Sequence, residues 1–236
     1  MTEAGFHRRH FIQMSTASAA ALWLPSTAYA QARGRSQKPH EETEDVTPSE
    51  DLMREHGVLN RVLLIYDEAI RRIDARRDLP PDAVHASADI VRTFIEDYHE
   101  KLEEDYLFPR FEKAGTLADV TKVLRAQHDA GRTLTQQILQ LATAQSIKES
   151  SSAARLKDAL GRFNRMYRPH EAREDTVLFP ALHRLVSKHE LDSLGEEFEK
   201  KEHSLFGEDG FEKMVDRVAS IEKTLGIYDL AQFTPR

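Results

Sequence analysis

Apolar residues in the middle of the chain recur every three or four positions, which is the spacing of one face of an α-helix. The first such stripe follows Thr47, which can cap a helix, Pro48, which suits the first helical position, and Glu50, which completes a capping box. This pattern predicts a helix that runs to about Arg77 and stops at Asp78-Leu79-Pro80-Pro81. Alternation of apolar and polar residues, the mark of a strand, is hard to find.

Three more stripes follow the first one. A second helix is predicted to open at Asp82 and to end near Phe108-Pro109, and a third to start at Thr116. Ser150-Ser151-Ser152 marks the next break, and the fourth helix is predicted to end after Pro180. Together they predict an all-α fold, an up-down-up-down four-helix bundle over residues 48–186. Residues 187–236 are expected to add shorter helices, interrupted at Gly207 and Gly210, that pack on the bundle.

The first thirty residues have the three parts of an export signal. Arg8-Arg9 gives a positive start, a short apolar run covers 14–24, and Ala28-Tyr29-Ala30 is a small-x-small cleavage site. The paired arginines followed by Phe11-Ile12 resemble a cleavable twin-arginine signal, with an ordinary secretory peptide or an uncleaved anchor as alternatives. We therefore expect a periplasmic or otherwise exported protein that uses the twin-arginine machinery. Its mature chain would have a flexible linker over 31–47 and no transmembrane segment.

Composition narrows the possible partners. The net charge of −7 argues against nucleic acid or an anionic membrane surface, because binding phosphate groups needs clustered Lys and Arg. Without cysteine, an exported chain must be held by core packing, by a metal, or by both. The eleven histidines therefore need an explanation.

An internal repeat connects several of those histidines. His99-Glu100-Lys101-Leu102-Glu103, followed by Leu107-Phe108-Pro109, recurs 71 residues later as His170 to Glu174 and Leu178-Phe179-Pro180. His56 and His128 lie 72 residues apart, each in the helix before one copy. The predicted bundle is thus two similar helical hairpins.

The repeat predicts a metal site inside the bundle. Residues four apart on a helix lie about 40° apart on one face, so the His and Glu of each copy point the same way. Buried ionisable groups facing one another need an opposite charge, which two cations with bridging carboxylates would supply. Imidazole with carboxylate suits iron, manganese is an alternative, and a metal-free bundle with buried core histidines is the simpler reading. The predicted ligands are His56, His99, Glu103, His128, His170 and Glu174.

These six residues resemble the signature of the hemerythrin-like (HHE cation-binding) family over about residues 50–185. The resemblance implies two iron ions in an oxo- or hydroxo-bridged centre that can meet O2, peroxide or NO. Oxygen-carrying hemerythrins have a second histidine where this chain has Arg132, and their fourth helix uses an aspartate at the spacing of Asp175. On an ideal helix Asp175 faces away from His170, so the repeat favours Glu174. One histidine fewer leaves a coordination position open.

Five further residues are weaker candidates. Tyr106, Tyr167 and Arg132 are possible partners of a ligand or of a bound oxygen species, although the two tyrosines are equally well explained as core aromatics. Asp175 and His203 are lesser metal candidates.

Three functions compete at this point. The open coordination position favours an exported non-haem di-iron protein that reacts with a small oxidant: O2, peroxide or NO. Such a protein would be a candidate oxidoreductase. A non-catalytic oxygen carrier or iron/redox sensor is the alternative, since no catalytic base beyond the ligands is recognisable. Ferritin-like iron oxidation or storage ranks last, because those bundles use Glu-x-x-His and ligands richer in carboxylate.

Overall fold

The computed structural model describes residues 46–235, and every regular element in that range is helical. Helix α1 (Pro48–Asp74) begins with the predicted capping box: the Thr47 hydroxyl accepts from the Glu50 N–H, and the Glu50 carboxylate accepts from the Thr47 N–H. It ends three residues before the predicted Arg77. The predicted export signal at 1–30 and nearly all of the predicted linker at 31–47 lie outside the described residues.

The second helical unit alternates between α-helical and π-helical turns. Helix α2 (Pro81–Ile90) passes into a π-helical segment (Val91–His99) and then into the short α3 (Glu100–Leu102). A second π-helical segment (Glu103–Leu107) leads into α4 (Phe108–Ala114), which a left-handed Gly115 terminates. The prediction that this unit ends near Phe108-Pro109 was wrong. Pro109 lies in the first turn of α4, directly after the change from π to α geometry, where a proline without an N–H is tolerated.

The third and fourth units follow α4 after a short loop. They comprise α5 (Ala118–Leu141), α6 (Ala144–Lys148), α7 (Ser150–Arg173), a third π-helical segment (Glu174–Leu178) and α8 (Phe179–Leu185). The fourth unit continues past Pro180, contrary to prediction, because Pro180 again falls in the first turn after a π-helical segment. The predicted break at Ser150–Ser152 lies one residue earlier, at Glu149, whose carboxylate accepts from the Ser151 and Ser152 hydroxyls.

The four units pack side by side around one core. Helix α1 contacts α7, α7 contacts α5, and the second unit contacts both α5 and α1, so the four units form a closed ring. Eight of the largest fully buried side chains are aromatic residues from three of the units: Tyr66, Tyr98, Tyr167, Phe94, Phe108, Phe111, Phe163 and Phe179. Burial of each of these side chains stabilises the fold by about 1.5–3 kcal/mol.

Two further helices lie against the outside of α1 and α2. Helix α9 (Lys188–Phe206) ends at Gly207, which has a φ of 73° that glycine adopts without strain, and α10 (Gly210–Leu225) starts three residues later. The Phe206 ring packs edge-on against Phe94 and Tyr98 at 5.6 and 5.5 Å. Leu230–Phe233 forms a last 3₁₀ turn. None of the helices in 46–235 is long and apolar enough to cross a membrane.

Candidate metal centre

The structure brings the six predicted ligands together in the core. Each helical unit contributes at least one of them, and none is more than 4% exposed. Three of the six stand at an end of a π-helical segment: His99 is the last residue of the first, while Glu103 and Glu174 begin the other two. Such segments are rare and often found at functional sites.

The four histidines form two pairs whose ring nitrogens face each other. We call His56 with His99 subsite A, and His128 with His170 subsite B. The two Nε2 atoms lie 3.1 Å apart in subsite A and 3.2 Å apart in subsite B. Two nitrogens bound to one ion at about 2.1 Å, at angles between octahedral and tetrahedral, lie roughly 3.0–3.4 Å apart. Each pair is therefore spaced to share a cation.

The two glutamates lie between the subsites. Glu103 has one carboxylate oxygen 3.8 Å from His99 Nε2 and the other 3.4 Å from His128 Nε2. Glu174 Oε2 lies 3.4 Å from His56 Nε2 and 3.1 Å from His170 Nε2. Each carboxylate thus reaches both subsites, as a bridging ligand must.

Apart from these imidazoles, neither glutamate has a polar partner among residues 46–235. All four of their carboxylate oxygens are buried, and none accepts a hydrogen bond from a residue in 46–235. Burial, and then the charge of Glu174, raises the pKa of Glu103 well above its ordinary value. Burial acts on Glu174 in the same direction, but the nearby His170 and His56 outweigh it and lower the pKa of Glu174. Carboxylates left this way in a core need a cation beside them, and one metal ion in each subsite would satisfy both glutamates.

An outer layer of polar side chains surrounds the four histidines and contacts the ring nitrogens that face away from the subsites. Each ligand histidine has its Nδ1 atom within hydrogen-bond distance of a side-chain oxygen: His99 with Glu55 at 2.7 Å, His56 with Asp175 at 2.7 Å, His128 with Glu104 at 3.1 Å, and His170 with Gln127 at 2.9 Å. A histidine that binds a metal through Nε2 carries its proton on Nδ1, so each of these oxygens accepts a hydrogen bond. Such contacts fix the ring orientation of metal-binding histidines.

Asp175, a lesser metal candidate, belongs to this outer layer and not to the ligand set. Asp175 follows Glu174 in the third π-helical segment, and its carboxylate lies against His56 of the neighbouring α1. It therefore supports a ligand of subsite A from the outside.

Arg132 supplies a positive charge from the chain itself. Its guanidinium lies 2.8 Å from a Glu100 oxygen and 2.7 Å from a Glu104 oxygen. Those two glutamates and His128 have the spacing of a third metal cluster, but the Arg132 guanidinium already contacts both carboxyl groups, and Lys101 contacts Glu104 as well. Burial raises the pKa of Glu100 to about 8 although a hydrogen bond and the charge of Arg132 oppose the shift.

Of the two tyrosine candidates, only Tyr167 reaches this layer. Its hydroxyl donates to Glu100 at 2.7 Å, and its ring centroid lies 5.4 Å from that of His170. The Tyr106 hydroxyl instead donates to Glu197 on α9 at 3.3 Å, because its ring leans outward against α9. His203 lies exposed on α9, outside the three buried clusters of possible metal-binding residues in 46–235.

The sequence reasoning missed most of the outer layer, although the repeat contained the signal. Glu100 and Glu171 are matched positions 71 apart, as are Glu104 and Asp175, while Glu55 and Gln127 are 72 apart, each next to a ligand histidine. The equivalence extends to packing: Phe179 stacks on His56 and Phe108 on His128, both at 5.6 Å.

Comparisons with known proteins agree with this geometry. The family model described as "Hemerythrin HHE cation binding domain" matches residues 47–182, more than half of the chain. The chain is 48% identical over 235 residues to "Uncharacterized protein Rv1995" of Mycobacterium tuberculosis (strain ATCC 25618 / H37Rv) and to "Uncharacterized protein Mb2018" of Mycobacterium bovis. Each match covers 98% of this chain and 92% of the relative. No solved structure matches it. The chain belongs to the hemerythrin HHE cation-binding family.

Proposed function

We propose that this chain is an exported non-haem di-iron protein that reacts with a small oxidant, O2, peroxide or NO. In the proposed arrangement an up-down-up-down four-helix bundle holds one iron ion in each subsite, with Glu103 and Glu174 as bridges. The observation that carries the proposal is the pair of buried carboxylates, whose oxygens accept no hydrogen bond from the described residues and lie between two pairs of imidazoles.

The donor set supports iron over other common metals. Four imidazole nitrogens and two carboxylates suit iron, whereas thiolates, the usual ligands of structural zinc, cannot occur in a chain without cysteine. Manganese fits the same donors. Bound iron supplies the redox chemistry, and the protein supplies position, charge and exclusion of water.

The surrounding residues suit a reaction with a small molecule. The ligands lie in a dry core, and the rings of Phe108 and Phe179 cover His128 and His56. Arg132 occupies the position of an additional histidine in oxygen-carrying hemerythrins, and its guanidinium is directed to two carboxylates. A guanidinium cannot bind a metal, so one coordination position stays available for the oxidant.

Metal content and an amide substitution test the site. Purified full-length protein should contain about two irons per chain and show the near-ultraviolet absorption of an oxo-bridged pair. Glu103→Gln should lose iron, yet without metal it should melt at the same temperature or higher, because an amide replaces a buried carboxylate that has no donor. His203→Ala, at an exposed histidine, is the matched control and should keep its iron. Full iron content in Glu103→Gln would contradict the ligand set.

Turnover separates the proposed enzyme from a carrier or sensor. The iron-loaded protein should consume peroxide in steady state, or NO when an artificial electron donor is added, and Glu103→Gln should abolish that consumption. Stoichiometric binding of O2 without consumption of any oxidant would favour the non-catalytic alternative.

Export is tested by the paired arginines. Replacing Arg8 and Arg9 with lysine should keep the protein in the cytoplasm at its uncleaved mass, because the twin-arginine machinery reads that pair. The unchanged protein should appear outside the cytoplasm with its first residues removed. Export of the double-lysine variant at the normal rate would contradict this route.

A further inference from the structure

The two subsites are built from equivalent residues but are surrounded by unequal charge. The 71- and 72-residue spacings exchange His56 with His128, His99 with His170 and Glu103 with Glu174, so the repeat relates subsite A to subsite B. Two equivalent pairs on α1 and α5 nevertheless differ in charge: Glu55 with Gln127, and Asn60 with Arg132.

The first difference lies directly behind a ligand of each subsite. The carboxylate of Glu55 lies 2.7 Å from His99 Nδ1, whereas the amide oxygen of Gln127 lies 2.9 Å from His170 Nδ1. A carboxylate that accepts the Nδ1 proton makes an imidazole a stronger electron donor than a neutral amide does. His99 therefore suits a cation of higher charge better than His170 does.

The second difference lies one helical turn farther along the same helices. The uncharged amide of Asn60 donates a hydrogen bond to Glu171, beside subsite A. At the equivalent position the Arg132 guanidinium pairs with both Glu100 and Glu104, and Glu104 is the outer partner of His128 in subsite B. The carboxylate behind His128 is thus shared with a cation.

Both differences act in the same direction. Each leaves the surroundings of subsite B one formal charge more positive than the equivalent surroundings of subsite A. The ligands themselves are matched in kind, and the distances between their nitrogens differ by only 0.1 Å. The imbalance therefore comes from the outer layer.

We propose that subsite A binds its cation first and more tightly, and that Glu55 and Gln127 are the positioning residues that set this order. Subsite B then holds the second, more easily released and more easily reduced ion. This inference rests on the proposed function in requiring two cations per chain. Changing the outer partner of a metal-binding histidine alters metal affinity by about 10–100-fold, which gives the size of the expected difference.

The experiment is an anaerobic binding titration of ferrous iron into the metal-free full-length protein. Two steps are expected, with dissociation constants at least about tenfold apart. After one equivalent of isotopically enriched iron, a single ferrous species should dominate the Mössbauer spectrum, and a second species should grow in with the second equivalent.

Two near-isosteric substitutions assign the steps. Glu55→Gln should weaken the first step by about 10-fold or more and leave the second almost unchanged, while Gln127→Glu should tighten the second step by a similar factor. In the double variant the outer partners are exchanged, and the two constants should converge. Gln137→Glu is the control, because it adds the same charge to the exposed face of α5 about 15 Å from Gln127.

The outcomes separate a failure of this inference from a failure of the proposed function. Fewer than two ions bound by the unchanged protein would overturn the di-iron proposal itself. Two ions bound with equal constants would overturn the inference alone, and so would an effect of Glu55→Gln on the second step. Because Gln127→Glu tests the same order from the other subsite, a folding defect in Glu55→Gln would not remove the test.

Discussion

At Gly131, helix α5 has no side chain, and the Tyr167 hydroxyl occupies the space that a Cβ atom would take. A Cβ atom at this position would lie 2.0 Å from the Tyr167 hydroxyl oxygen and 2.8 Å from its Cζ. The tyrosine cannot move away easily, because it is buried between Phe163 and His170 and its hydroxyl donates to Glu100. Gly131→Ala should therefore displace the ring and break that hydrogen bond.

The magnitude follows from three contributions. Alanine in place of glycine within a helix stabilises by about 1 kcal/mol. Overpacking a closed core costs roughly 1–3 kcal/mol, and leaving the buried Glu100 oxygen without its donor costs roughly another 1–3 kcal/mol. The two penalties outweigh the gain, so we expect Gly131→Ala to lower the free energy of unfolding by about 3 kcal/mol.

Urea unfolding at matched metal content measures this change. The midpoint should fall by about 1–2 M, for a typical dependence of stability on urea. Gly161→Ala is the control: its Cβ would meet only Ile70 Cδ1 at 4.0 Å, so it should be neutral or stabilising by up to about 1 kcal/mol.

A double variant isolates the clash. In a Tyr167→Phe background the nearest clashing atom is gone, so Gly131→Ala should cost at least about 1 kcal/mol less than it does in the unchanged protein. Equal stability of Gly131→Ala and Gly161→Ala would refute the reasoning, and so would strict additivity of the double variant.

Three other substitutions test separate features by urea unfolding. Arg132→Gln should lower the free energy of unfolding by about 2–3 kcal/mol, because Glu100 loses its cation and Glu104 keeps only Lys101, whereas Arg125→Gln, at an exposed ion pair, should cost less than about 1 kcal/mol. Burial raises the pKa of Glu96 above its ordinary 4.5, so its stabilising effect at low pH is lost as pH rises toward the raised pKa. From pH 4.5 up to the raised pKa, Glu96→Gln should therefore reduce the fall in stability, by up to about 1.4 kcal/mol per pH unit, while the exposed Glu196→Gln should not. Thr47→Ala removes the cap of α1 and should cost about 1 kcal/mol.

Periodicity and caps predicted most of the helical fold, because both depend on local chemistry. The capping box at Thr47 and the break at Gly207 are confirmed as predicted. The ends predicted at Pro109 and Pro180 were wrong, because a proline ends a helix only where its N–H is needed or its ring clashes. A π-helical turn before each proline removes that conflict, and single-residue propensities give no sign of such a turn.

The positions of the ligands could be predicted because an internal repeat marks them, whereas the outer layer depends on contacts between different helices. Asp175 illustrates the difference. Its angle on an ideal helix predicts that it faces away from His170, but only the packing of α1 against the fourth unit shows that its carboxylate reaches His56. Equivalent positions of the repeat then reveal what a single helix cannot: Glu104 stands behind His128 as Asp175 stands behind His56. Where the two halves differ, as at Gln127, packing gives no reason for the difference, since glutamate of nearly the same shape occupies the equivalent position. The remaining distinction is charge, and a metal ion bound to the other ring nitrogen of the histidine would respond to that charge.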